Sequence, residues 1–148
     1  MNENIKTIFF DFDGTLHNSI QIYAPAFKKA YNYLVELELV ENKEHTKDEI
    51  SRWLGYNSKD MWENFMPNLD IENKTVCSEI IRQEMIKLIN DGKAALYDGA
   101  LDILDYLKNK DYKLVFLSNC SIYYMNTAKK EFNLNNYFAA FFCSEQFE

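Results

Sequence analysis

No stretch of this chain reaches the roughly 20 apolar residues that cross a bilayer as a helix. The opening residues Met1-Asn2-Glu3-Asn4 lack the basic and apolar regions of a secretory signal. Together these absences lead to the expectation of a cytoplasmic protein with no membrane partner. Basic residues are scarce beside acidic ones: 16 Lys and Arg stand against 23 Asp and Glu, a net charge of −7. Nucleic acids favour basic partners, so that class is set aside, while a local basic pocket for one small phosphate stays open. Cysteine is sparse too. Cys77, Cys120 and Cys143 are odd in number, widely spaced and without metal-ligand spacing, which fits reduced thiols. Neither an internal repeat nor a low-complexity tract is present. Aromatic residues are plentiful, with 11 Phe and 10 Tyr. They suit a well-filled core, and some of them would line a pocket.

The hydrophobic pattern alternates between strands and helices. Ile5 to Phe10 reads as a buried strand, and Asn18 to Leu39 as a helix with Ala24, Phe27, Tyr31, Leu34 and Val35 on one face. After a polar break at Glu41 to Glu44, Thr46-Lys47-Asp48-Glu49 is a capping box that opens a helix through Leu54. His45, just before it, is expected in solvent. Gly55-Tyr56-Asn57 is a turn, Ser58 to Phe65 a short helix, and Pro67-Asn68 a break. Lys74 to Asn90 keeps 3.6-residue spacing through Cys77, Ile80, Ile81, Met85, Leu88 and Ile89, and Asp91-Gly92 ends it. Gly99 to Lys110 is a helix, Tyr112 to Leu117 a strand, Ser121 to Phe132 a helix and Ala139 to Cys143 a strand. Near-continuous apolar strands separated by helices predict an α/β fold with a parallel sheet covered on both faces. Such sheets carry their chemistry beyond the carboxyl ends of the strands.

The most informative string is Phe9-Phe10-Asp11-Phe12-Asp13-Gly14-Thr15-Leu16. An apolar run delivers two carboxylates two residues apart, and alternation along a strand would send both to one side. Two close carboxylates repel unless a cation or a shared proton lies between them. An oxygen-only donor set suits Mg²⁺, which keeps waters and also takes substrate phosphate. The same residues equally describe a plain Asp-Gly turn after a strand.

Ile8 to Leu16 resembles the first motif of the haloacid dehalogenase-like hydrolases, an apolar run ending in D-x-D-G-T. Leu114 to Leu117 followed by Ser118-Asn119 resembles the second, a strand ending in Ser or Thr. The resemblance extends from about Ile5 to Ser144, and its first motif is the specific one. It implies a Rossmann-like parallel sheet core, residues 1–18 and 96–148, with an inserted all-α cap of the C1 type, residues 19–95. His17-Asn18-Ser19 and Lys93 to Asp98 would be the hinges of a cap that closes over substrate.

The resemblance also implies roles. Asp11 would be the nucleophile, forming an aspartyl-phosphate. Asp13 would be general acid and then general base. Asp11 and Asp13, the latter through its main-chain carbonyl, would hold Mg²⁺. Gly14 would let the backbone approach the phosphate, and Thr15 would help to position Asp13. Ser118 and the Asn119 N–H would bind phosphoryl oxygens. An acid at Asp13 favours phosphate esters, since halide release needs no proton. His17, at the hinge, and Arg52, Tyr56 and Lys59, in the cap turn, are the candidate specificity residues. The implied activity is hydrolysis of a small phosphorylated metabolite. The alternatives are a phosphomutase of the same family or a catalytically silent interaction module.

The family's third motif, a Lys, and its fourth, an acidic pair, find no match before Glu148. Lys129 and Lys130 come too early, on a helix. The chain therefore reads as the first part of a longer enzyme, weakly active or inactive alone. It is expected to leave the Ile5–Phe10 edge of its sheet open for pairing with another copy.

Overall fold

The computed structural model describes residues 6–147. They form two compact units: Met1–Asn18 with Ala95–Glu148, and Ser19–Ala94.

The first unit is built on three parallel strands, β1 (Thr7–Phe10), β2 (Lys113–Ser118) and β3 (Ala140–Cys143), in the order β1-β2-β3. The register pairs Phe10 with Phe116 and Phe116 with Phe141. Three rings therefore stand abreast on one face. Phe138 closes over them, 6.2 Å from Phe10, 5.8 Å from Phe116 and 5.7 Å from Phe141 between ring centroids. Phe12 extends the row and contacts both Phe116 and Phe132. Two helices belong to this unit, here labelled α5 (Ala100–Asn109) and α6 (Ile122–Glu131). Ile5, the expected first residue of β1, lies outside the described residues.

The sheet is well covered on one face and only partly on the other, where Val115 is 5% exposed, against the expectation of two covered faces. Phe9, Leu117 and Phe142, on that second face, are 61%, 47% and 38% exposed. The reason is topological. Parallel crossovers are right-handed, and a sheet whose strands lie in chain order then receives both following helices on the same side. Among the described residues, β1 pairs only with β2, so β1 is an edge strand.

The second unit is all helical: α1 (Ile20–Glu36), α2 (Lys47–Ser51), α3 (Ser58–Phe65) and α4 (Ile71–Asn90). Its core joins Ala26, Phe27, Ala30 and Leu34 of α1 to Ile50, Met61, Trp62, Cys77 and Ile81. The capping box at Thr46 is present in full, with the Thr46 hydroxyl accepting from Glu49 N and the Glu49 carboxylate accepting from Thr46 N. Asn57 caps α3 and Asp70 caps α4. That second cap starts α4 three residues before Lys74. Helix α1 ends at Glu36 because Glu38 turns into the left-handed region (φ 57°). There Leu39 N bonds Leu34 O and Glu38 N bonds Val35 O, the two bonds of a Schellman closure.

His45 is not in solvent. It is 8% exposed, inside a box of Tyr31, Phe27 and Phe65 rings at 4.5, 5.7 and 5.7 Å. Trp62 is buried, and Trp53 lies 5.4 Å from the Phe65 ring. Among the described residues no helix is long and apolar enough to cross a membrane.

Candidate active site

β1 ends at Phe10, and the next seven residues fold back on a single carbonyl. Thr15 N, Leu16 N and His17 N all donate to Phe12 O, at 3.2, 3.0 and 2.9 Å, and Gly14 N donates to His17 O at 2.9 Å. Closing so tight a loop needs Gly14 in the left-handed region, φ 78°. Fully buried Phe12 and His17 anchor the loop, their rings stacked at 5.0 Å and 19°. The returning chain at residues 95–97 binds the loop's far side, with Asn18 N on Ala95 O and Tyr97 N on Leu16 O.

The loop gives the two carboxylates different surroundings. Asp11 is exposed, and its Oδ2 accepts from the Thr15 hydroxyl at 3.0 Å. The expectation that Thr15 positions Asp13 is thus corrected: folding around Phe12 O brings residue 15 back over residue 11. The Asp13 side chain is 17% exposed, turned toward α6. Its Oδ1 accepts from the Tyr124 hydroxyl at 2.7 Å and lies 3.1 Å from His17 Nδ1. The Tyr124 hydroxyl lies 3.3 Å from the same His17 nitrogen. Burial, and then the neighbouring Asp13 charge, push the Tyr124 phenol well above its ordinary value, so it stays a neutral donor.

Ser118 closes β2 and is buried, and Asn119 after it is exposed. Ser118 follows Phe116 by two residues as Phe12 follows Phe10, its register partner, so both motifs stand at the same carboxyl end of the sheet. Cys120 is half-buried. Burial pushes its thiol up to about 12, the Asp13 charge acting the same way, which leaves it protonated and unreactive near neutral pH. The N-terminus of α6 is occupied: Ser121 accepts from Tyr124 N at 3.2 Å, and the Glu145 carboxylate accepts from Ile122 N at 2.6 Å.

Not all the candidates fall in one unit. Asp11, Asp13, Gly14, Thr15, His17, Ser118 and Asn119 belong to the sheet unit, whereas Arg52, Tyr56 and Lys59 surround the Gly55 turn of the helical unit, all exposed. Of the sheet-unit candidates, the described contacts bring His17 onto Asp13 and Thr15 onto Asp11. Sequence reasoning missed Tyr124. Its signal was faint: Tyr124 shares a helical face with Ala128 at i+4, while its neighbour Tyr123 is 59% exposed.

The family model for haloacid dehalogenase-like hydrolases matches residues 8–148. This chain belongs to that family. A search of curated proteins gave no match. Among solved structures, a predicted phosphatase from Clostridium acetobutylicum is similar, with TM-score 0.79 and 23% identity over 95% of this chain and 61% of that one. A predicted phosphoglycolate phosphatase from Haemophilus somnus aligns with TM-score 0.78 and 17% identity, over 98% of this chain and 65% of the other. CbbY from Rhodobacter sphaeroides, in complex with xylulose-1,5-bisphosphate, gives TM-score 0.73 and 17% identity, covering 94% of this chain and 63% of CbbY. At these identities the likeness establishes the Rossmann-like α/β fold of the family. The chain spans somewhat under two thirds of the length of these relatives.

Proposed function

We propose that this haloacid dehalogenase-like chain carries the nucleophile and proton-transfer groups of a phosphoric monoester hydrolase. The observation that carries the reading is the unlike setting of the two motif carboxylates. Asp11 is exposed at the tip of β1 and free of bulky cover, as a nucleophile needs. Asp13 is held by Tyr124 beside His17, as a group that must keep one orientation while exchanging a proton needs. An Asp11 oxygen attacks phosphorus while Asp13 gives its proton to the leaving alkoxide, producing an aspartyl-phosphate and a free alcohol. Asp13 then takes a proton from water, the hydroxide attacks phosphorus, and the P–O bond to Asp11 breaks. Phosphate leaves and both carboxylates return to their starting states. The Ser118 hydroxyl and Asn119 N–H, at the end of β2, steady the phosphoryl oxygens, as does the Gly14-Thr15 backbone.

The donor set suits Mg²⁺. Asp11 and the Asp13 main-chain carbonyl are hard oxygen ligands, and this ion is content with one or two carboxylates plus waters and substrate phosphate. When bound, the ion supplies charge neutralisation during phosphoryl transfer. Among the described residues no group of three or more His, Cys, Asp or Glu assembles a fuller cage. In this reading the chain binds Mg²⁺ weakly and turns over slowly. In this reading the substrate is a small phosphorylated metabolite, a class consistent with the phosphoglycolate and bisphosphate named for the solved relatives. The helical unit, residues 19–95, acts as the cap, and Arg52, Tyr56 and Lys59 choose the substrate; His17, expected among them, is fully buried against Phe12 and meets Asp13 instead. The thiols and the acidic surface suit the cytoplasm.

Release of inorganic phosphate from a panel of small phosphomonoesters tests this. We expect slow release that needs Mg²⁺ and stops with EDTA. Asp11→Asn should fall to background, and Asp13→Asn should lose about 10²–10⁴-fold. An Asp11→Asn protein as active as the parent would end the reading.

A further inference from the structure

The best-defined polar cluster in the sheet unit is one the family motifs do not name. Tyr124 and His17 both meet Asp13 at a single oxygen. The Tyr124 hydroxyl gives its one hydrogen to Oδ1 at 2.7 Å, a well-formed O–H···O distance. His17 Nδ1 then faces two oxygens, Asp13 Oδ1 at 3.1 Å and the Tyr124 hydroxyl at 3.3 Å. Oδ1 accepts whether or not the other carboxyl oxygen carries the acid proton, and the Tyr124 hydrogen is already committed to Oδ1, so this network assigns the ring hydrogen to Nδ1.

Neither donor can swing away. His17 is fully buried, stacked on Phe12 and 5.7 Å from Phe132, and its backbone closes the loop through His17 N on Phe12 O and Gly14 N on His17 O. Tyr124 is 4% exposed and fixed by the Ser121 cap on its own N–H. One donor comes from the loop itself and the other from α6, which follows β2. The Asp13 rotamer is thus tied to the packing of β1 against the β2–α6 connection, over 111 residues of sequence.

We propose that Tyr124 and His17 are positioning residues that lock the Asp13 carboxylate by its Oδ1, so that proton transfer proceeds from one fixed orientation. The proposal rests on the reading of Asp13 as the proton-transfer group and adds how that group is held. Positioning of this kind acts on the chemical step and not on substrate affinity, because neither residue touches the phosphoryl group.

Three-bond couplings across the Asp13 Cα–Cβ bond, measured by NMR on the isotopically labelled 148-residue chain, read the rotamer without turnover. The parent protein should show one staggered rotamer. Tyr124→Phe, which keeps the ring and removes the hydroxyl, and His17→Leu should each show averaging, and the double variant should average fully. His17→Asn, which keeps a nitrogen at the δ position, should restore the single rotamer. Couplings unchanged in the double variant overturn the proposal. In the phosphate-release assay, Tyr124→Phe should lower kcat about tenfold at unchanged KM; an unchanged kcat, or a loss confined to KM, also overturns it. If Asp11→Asn instead retains activity, the hydrolase reading fails on its own, and the couplings still decide whether Asp13 is locked.

Discussion

At the scale of single residues, the candidate carboxylates were easier to pick out of the sequence than the side chains that meet them. Asp11 and Asp13 stand out because an apolar run leads straight into the full string D-x-D-G-T. Tyr124 does not, since a tyrosine on an amphipathic helix looks like core until the distant loop that meets it is known. His45 failed for a related reason. A histidine beside a polar break reads as solvated, yet Phe27, Tyr31 and Phe65 converge on it from α1 and α3. This burial, followed by the Lys43 charge, lowers its pKa from 6.5. The folded state therefore prefers neutral His45, and the unfolded state binds its proton more readily. That preference is fully expressed above pH 6.5 and is lost as pH falls below it through the depressed value. Thermal melts from pH 7.5 to 5 should show a decline in Tm that is shallower in His45→Phe than in the parent.

Elements were legible where a local signal marks their ends. Asn57 fixes the start of α3, and the helix covers Ser58–Phe65 as read. Thr46 and Glu49 fix the start of α2, but that helix stops at Ser51 and not Leu54. Trp53 N and Leu54 N bond three residues back, to Ile50 O and Ser51 O, which tightens the last turn before Gly55. Removing the cap in Thr46→Ala should cost about 1 kcal/mol, read from urea midpoints. The end of α1 runs the other way. Glu38 takes a left-handed conformation that costs a side-chain-bearing residue about 1 kcal/mol, so Glu38→Gly should raise the midpoint. On the sheet, Phe116 is fully buried among Phe12, Phe138 and Phe141, and Phe116→Ala should lose about 3–5 kcal/mol in the same titration.

For the whole molecule, parallel pairing followed from the alternation of apolar runs and helices, whereas the order of the strands in the sheet came from the structure. The partly open face did not either, because an apolar side chain in a strand has the same signature whether or not a helix lies over it. Phe9, Leu117 and Phe142 share that face beside the unpaired edge of β1. Exposed apolar surface next to an open edge favours pairing between chains. Sedimentation velocity should show concentration-dependent association of the 148-residue chain, reduced when Phe9→Lys and Leu117→Lys are combined. A monomer at every concentration would remove this face from the list of association surfaces.

Both tryptophans of the chain, Trp53 and Trp62, lie in the helical unit. Indole fluorescence excited at its red edge therefore reports that unit alone, while the strands of the sheet unit are silent at that wavelength. A single cuvette can then time the melting of one half of the protein against the circular dichroism of the whole.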